Sequence, residues 1–202
     1  MNLKPKIIPK KPLSDKVHFQ EKNAVEVLTK QIRTVLPDHQ PIVIVCIGTD
    51  RSTGDALGPI VGSKLKQMVP HDFDIYGTLN EPVHAVNLEA ELERIGSLHR
   101  SPFIIGVDAS LGKSSSVGMI SFGKGPVKPG AGVKKQLPPV GHAHITGIVN
   151  VSGFMEYFVL QNTRLNLVMQ MADTIAESLH AACSRQKPMV SIRSAYKLEV
   201  GD

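Results

Sequence analysis

Aromatic residues are scarce in this 202-residue chain, which has six Phe, three Tyr and no Trp. Proteins that stack single-stranded nucleic acid need more rings than that. The formal net charge of +5 must therefore be judged by where it lies. Five lysines against Asp15 fall in residues 1–16, a Pro-interrupted stretch that reads as a flexible tail. A second basic region, Lys113 to Lys135, holds five lysines, no acid and Phe122 as its lone aromatic. This distribution argues against nucleic acid as the partner.

Cysteine is just as sparse. Cys46, inside an apolar run, and Cys183, in a helical pattern, give neither a disulfide framework nor a zinc knuckle. Reduced thiols suit a cytoplasmic chain. Long apolar runs are missing too: no segment approaches the roughly 20 residues that span a bilayer. The first residues also lack the apolar centre of a signal peptide, so no membrane partner is expected. The length suits one domain. We expect a basic flexible tail over 1–22, a single domain over 23–186 and a C-terminal extension over 187–202.

What is present is an alternation of strands and helices. Asn23, with Glu26 after it, can cap a helix in which Val25, Leu28, Ile32 and Val35 follow at helical spacing, closed by Pro37 and Pro41. Ile42 to Ile47 is a β-branched run without polar alternation, as in a parallel strand covered on both faces. The segment CIGTDRSTGDALGP follows, and Pro59 then opens a helix with Ile60, Val61, Leu65 and Met68 on its apolar side. A strand is read over Phe73–Leu79, a short helix over Asn87–Gly96 and a third apolar strand over Phe103–Val107, ending at Asp108. Val117–Phe122 and Ile145–Val151 are weaker strands, and a last helix carries Val168, Met171, Ala172, Ile175 and Leu179 on one face. This order predicts a three-layer α/β/α sandwich with a largely parallel central sheet, whose sites lie beyond the carboxyl ends of the strands.

Asp55 and Asp108 both fall there. Alone, Asp55 is as readily a group that satisfies free N–H groups at the start of the following helix as a reacting group. Asp108 ends the run FIIGVD, where burial raises a carboxyl pKa unless donors compensate. Brought together, the two could share a proton, one acting as base toward water and the other as acid toward a leaving amine. Alternatively they could hold a divalent metal if an imidazole joined them, and VGHAHITG offers His142 and His144, which point the same way on an extended chain. Both histidines could equally be structural. Arg51 and Glu81, by their loop positions, are candidates with His142 for substrate contact. GVDASLGKSS resembles a phosphate loop, but the required Gly position is Val107. No serine sits in a G-x-S-x-G elbow, and Cys46 reads as a buried apolar residue.

The segments IVIVCIGTDRSTGDALGPIVGSKL, FIIGVDASLG and VGHAHITGIVNVSGFMEYFVLQNTRL together resemble the YyaC-type sporulation proteins of spore-forming bacteria. These are related to the germination protease that degrades small acid-soluble spore proteins, and more remotely to the hydrogenase maturation endopeptidases. The resemblance covers about Ile42 to Arg185. It implies a phosphorylase/hydrolase-like α/β/α fold. It also implies that Asp55, in the D-A-L-G-P wording of the germination protease, and Asp108, at the end of a later strand, are the catalytic aspartates of an unusual aspartic protease. In the metal-holding relatives the matching set would be Asp55, Asp108 and His144, the latter in HITGI. Three functions are weighed: an endopeptidase with paired carboxylates acting on a protein or peptide, small acid-soluble spore proteins among them; a metallopeptidase; and a non-catalytic relative that holds an acidic partner on the Lys113 to Lys135 segment.

Overall fold

The computed structural model describes residues 16–70, 72–130 and 137–184. One six-stranded sheet runs through them. Its strands are β1 (Lys16–His18), β2 (Ile42–Cys46), β3 (Asp74–Tyr76), β4 (Phe103–Gly112), β5 (Met119–Lys124) and β6 (Ala143–Val151). Their spatial order is β1-β5-β6-β4-β2-β3. β3, β2, β4 and β6 are parallel, while β5 and β1 add antiparallel strands at one edge. All five residues of β2 are buried, as expected of a β-branched run covered on both faces.

The two faces are covered unequally. On one, α1 (Ala24–Arg33), α2 (Leu57–Gln67) and α5 (Leu165–Cys183) bury Leu28, Ile32, Leu57, Leu65, Met171 and Ile175 against Ile44, Ile105, Val107 and Ile145. On the other, α3 (Leu88–Leu98) supplies Leu88 and Ile95 to a smaller core with Val43, Val45 and Ile47. The Val127–Val140 bridge completes that layer. The three-layer sandwich expected from the element order is thus present, with one thick helical layer and one thin one. The thin layer leaves room beside the sheet.

Several boundaries differ from the sequence reading. Lys16–Lys22, assigned there to the tail, belongs to the fold: β1 pairs with β5, and Val17 is buried. Three residues with one apolar side chain are too short a period to read. The other tail residues, 185–202 and Lys134 and Lys135 lie outside the described residues. The helix α4 (Glu156–Gln161) was not anticipated, because its turn has no periodic apolar face. β4 does not stop at Asp108 but continues to Gly112, still paired with β6, with a bulge between Ser110 and Leu111. That extension accounts for the absence of a phosphate loop in GVDASLGKSS. Asn23 and Asn87 cap α1 and α3 by position but make no side-chain cap bond.

Candidate active site

β2 and β4 run side by side only as far as the Cys46–Val107 pair. The Ile47 N–H donates to the Val107 carbonyl at 2.7 Å, and the first chain then leaves the sheet while β4 goes on. Asp108 is the first residue of β4 past that parting. Since Ile105, Val107 and Ala109 face the thick helical layer, alternation along the strand turns Asp108 toward the thin one. A carboxylate there meets a cleft instead of a packed core.

The departing chain builds the facing wall. Gly48 donates its N–H to the Val83 carbonyl at 2.8 Å, and Thr49 donates to the Asp55 carbonyl at 3.2 Å, so residues 49–55 close into a compact loop. Gly48 has φ +147°, and a Cβ there would collide with the Asp55 carbonyl oxygen. Only glycine meets both demands. α2 starts at Leu57 with Ala56 as its cap and no side-chain cap bond. The Asp55 side chain is therefore not spent on capping the helix, which was the competing explanation for it.

Asp55 and Asp108 line one cleft of about 300 Å³, together with Arg51, Ser52, His84 and Tyr157 among others. Burial is the main cause that raises both carboxyl pKa values. For Asp55, the Ser52 hydroxyl pulls in the opposite direction. Asp108 is pushed up to about 8, first by burial and then by the Asp55 charge, against a hydrogen bond from the Ala109 N–H, which reaches Asp108 Oδ1 at 2.9 Å. Two like carboxyls that repel within one cleft favour holding one proton between them near neutrality. Ser52 Oγ, although close enough to Asp55 to affect it, is enclosed without a partner in hydrogen-bond geometry. Cys46 is fully buried and its thiol is driven upward by that burial, so it is no nucleophile.

The other expected contact residues lie elsewhere. Glu81 lines a different groove of about 810 Å³, beside Tyr76 and Arg94, and its carboxylate is 3.7 Å from Lys66 Nζ. His142 accepts the Ile104 N–H on Nδ1 at 3.0 Å and stacks on Phe103. His144 stands opposite Gly106 in the β4–β6 register. Its ring lies over Gly123, and its Nδ1 is 2.9 Å from the Gly125 carbonyl. Neither histidine lines the cleft. The set Asp55, Asp108 and His144 is accordingly not gathered as metal ligands. Among the described residues, no three His, Cys, Asp or Glu side chains form a group that could hold a metal.

The histidine that does reach the cleft is His84, which the sequence reading passed over. It sits on the loop before α3. Asn87 clamps that loop by accepting the His84 N–H on Oδ1 at 2.8 Å and donating to the Pro82 carbonyl at 3.0 Å. His84 Nδ1 is enclosed without a hydrogen-bond partner. An enclosed imidazole nitrogen left unpaired in the lining of the same cleft is an uncommon arrangement that asks for a role.

Residues 16–178 match the family DUF1256, described as protein of unknown function. The chain belongs to the DUF1256 family. Its relatives include the uncharacterized protein YyaC of Bacillus subtilis (strain 168), 63% identical over a 156-residue alignment, with 74% of this chain and 76% of that protein covered. Among solved structures, the [NiFe] hydrogenase maturation protease HycI from Thermococcus kodakarensis superposes with a TM-score of 0.51 at 19% identity. The match covers 75% of this chain and 97% of HycI. At that identity the likeness establishes a shared α/β architecture. The DUF1256 chain thus shares the α/β architecture of HycI, and no helix among its described residues is long and apolar enough to cross a membrane.

Proposed function

We propose that this DUF1256 protein is a peptidase that uses Asp55 and Asp108 to hydrolyse a peptide bond with water as the nucleophile. The observation that carries the reading is the shared cleft, in which Asp108 is held protonated near neutral pH while Asp55 is the more readily ionised of the two. Asp55 takes a proton from water as the oxygen bonds to the peptide carbonyl carbon. Asp108 gives its proton to the amide nitrogen as the C–N bond breaks. The products are a carboxylic acid and an amine. The proton gained by Asp55 passes to Asp108 and resets the pair. Ser52 favours the ionised form of Asp55 and so keeps the base available.

Under this reading the substrate is a polypeptide met in the cytoplasm of a sporulating cell. Small acid-soluble spore proteins are the first to try, because of the kinship of YyaC-type proteins with the germination protease. No step is routed through a metal, since His144 is bonded away from the two aspartates. The test is cleavage of a panel of such proteins by purified wild type and by Asp55→Asn, which keeps the shape and removes the base. Loss of cleavage with unchanged thermal melting is expected. Full cleavage by Asp55→Asn would refute the assignment.

A further inference from the structure

In a chain with six Phe and three Tyr, three of these rings stand exposed on one turn. Phe154 is 89% exposed, and Tyr157 and Phe158 are about half exposed. Tyr157 and Phe158 touch edge to face, Met155 between Phe154 and Tyr157 is half exposed, and Val86, also 89% exposed, stands on the loop that carries His84. Single exposed apolar residues need no explanation, but a contiguous cluster does. Tyr157 and Val86 also line the Asp55–Asp108 cleft. Patch and cleft are therefore one continuous surface.

The turn is held firmly in this outward-facing arrangement. Met155, at the start of α4, sits in the left-handed region at φ 56°, a conformation that L-residues adopt only when their surroundings impose it. Its carbonyl accepts the N–H groups of Phe158 and Val159. Asn150 Nδ2 donates to the Val159 carbonyl. The Gly54 N–H donates to the Leu160 carbonyl at 2.9 Å, and a Cβ on Gly54 would press on Leu160 at 2.8 Å. The helix that shows the rings to solvent is thus bonded to the residue directly before Asp55.

We infer that the α4 turn is the substrate-docking platform of the cleft, and that it takes large apolar side chains of an extended polypeptide whose backbone crosses Asp55 and Asp108. The inference rests on the peptidase reading for the identity of the occupant. Apolar lining continues into the cleft through Leu111, Leu137 and Leu160, so apolar side chains are matched on either side of the two carboxyls. Aromatic residues in such positions give much contact area for little side-chain entropy and commonly dominate binding. A second copy seated on the same patch would instead seal the mouth that the carboxylates need open.

The test selects binders from a randomised short-peptide library on full-length Asp55→Asn protein. The selected peptide is then labelled and titrated by fluorescence anisotropy. Enrichment in Phe, Leu, Met and Tyr is expected among the peptides held by Asp55→Asn. Binding should be at least tenfold weaker to the triple variant Phe154→Ser, Tyr157→Ser and Phe158→Ser. Should the triple variant fail to fold, Phe154→Ser alone, at the most exposed ring, must weaken binding severalfold. Selection of charged or polar peptides overturns the inference, as does undiminished binding by a folded variant. So does a concentration-dependent dimer that the variant abolishes without any peptide being enriched, which would assign the patch to a second copy. Apolar peptides that bind but are never cut by wild type would sink the peptidase reading and leave the platform standing; cleavage without apolar preference would do the reverse.

Discussion

Replacing Asp108 by Asn separates the stability of the fold from the charge state of its site. Burial holds the Asp108 carboxyl at about 8 in the folded chain, against an ordinary value of 3.8. Between those values the folded state binds a proton that the unfolded state has lost. Stability therefore falls as pH rises through this window, by at most about 1.4 kcal/mol per pH unit for one proton, and levels off above it. Asp55, also raised by burial, adds to the fall just above the usual carboxylate range. Asp108→Asn removes the ionisation and keeps the side-chain volume. Urea denaturation of wild type and Asp108→Asn should show a stability difference that grows in favour of the variant from about pH 5 to about pH 8. Subtracting one series from the other cancels the histidines and surface carboxylates common to both. In activity, the same group would set the alkaline limb of kcat/KM near pH 8, and the variant would lose cleavage. A difference between the two proteins that does not change with pH would refute the premise that Asp108 is protonated near neutrality, and with it the assignment of acid and base.

Three further outcomes follow from the same geometry. Asp55→Asn removes a charge that raises Asp108, so the Asp108 midpoint, followed by carboxyl-region NMR, should move toward lower pH. An unmoved midpoint would mean that the two carboxyls do not sense each other. His84→Ala should slow cleavage at least tenfold while leaving melting unchanged or slightly raised, because the removed Nδ1 had no partner to lose; a large fall in melting with normal cleavage would make His84 structural. His144→Ala should do the opposite. It should cost about 1–3 kcal/mol by deleting the Gly125 bond and the packing over Gly123, while wild type and variant cleave alike before and after dialysis against a chelator. A cleavage loss restored by a divalent ion would bring His144 into the site and overturn the donor set described above.

The central part of the fold was legible because its signals are strong and local. Ile42–Cys46 is an unbroken β-branched run that the sheet buries on both faces, and α2 and α5 carry their apolar faces at regular spacing. The edges were less legible. β1 is stabilised by pairing with β5, a hundred residues away in sequence, and by one buried side chain, Val17. No window along the chain contains that information. β4 reads as ending at Asp108 because an aspartate is a poor strand former. The strand continues there because β6 still offers a hydrogen-bonding edge, so tertiary pairing overrides the local preference.

The candidate site divides along the same line. Asp55 and Asp108 stand out in sequence because a carboxylate directly after or within a buried apolar run has to be explained, and the explanation uses only near neighbours. The histidines reverse this logic. His144 lies on the correct face of a strand next to β4, but whether its ring turns toward Asp108 or toward β5 depends on Gly123 leaving an open space and Gly125 presenting a carbonyl, neither of which spacing reveals. His84 sits in NEPVHAVNL with no motif around it. It reaches the cleft because the Gly48 N–H bonds the Val83 carbonyl, which fastens the His84 loop to the Asp55 loop at the point where β2 leaves the sheet. The histidine of the cleft is thus joined to the Asp55 loop by a backbone hydrogen bond between two loops about 35 residues apart in sequence, a contact that comes into being only once the parallel strands beneath have formed.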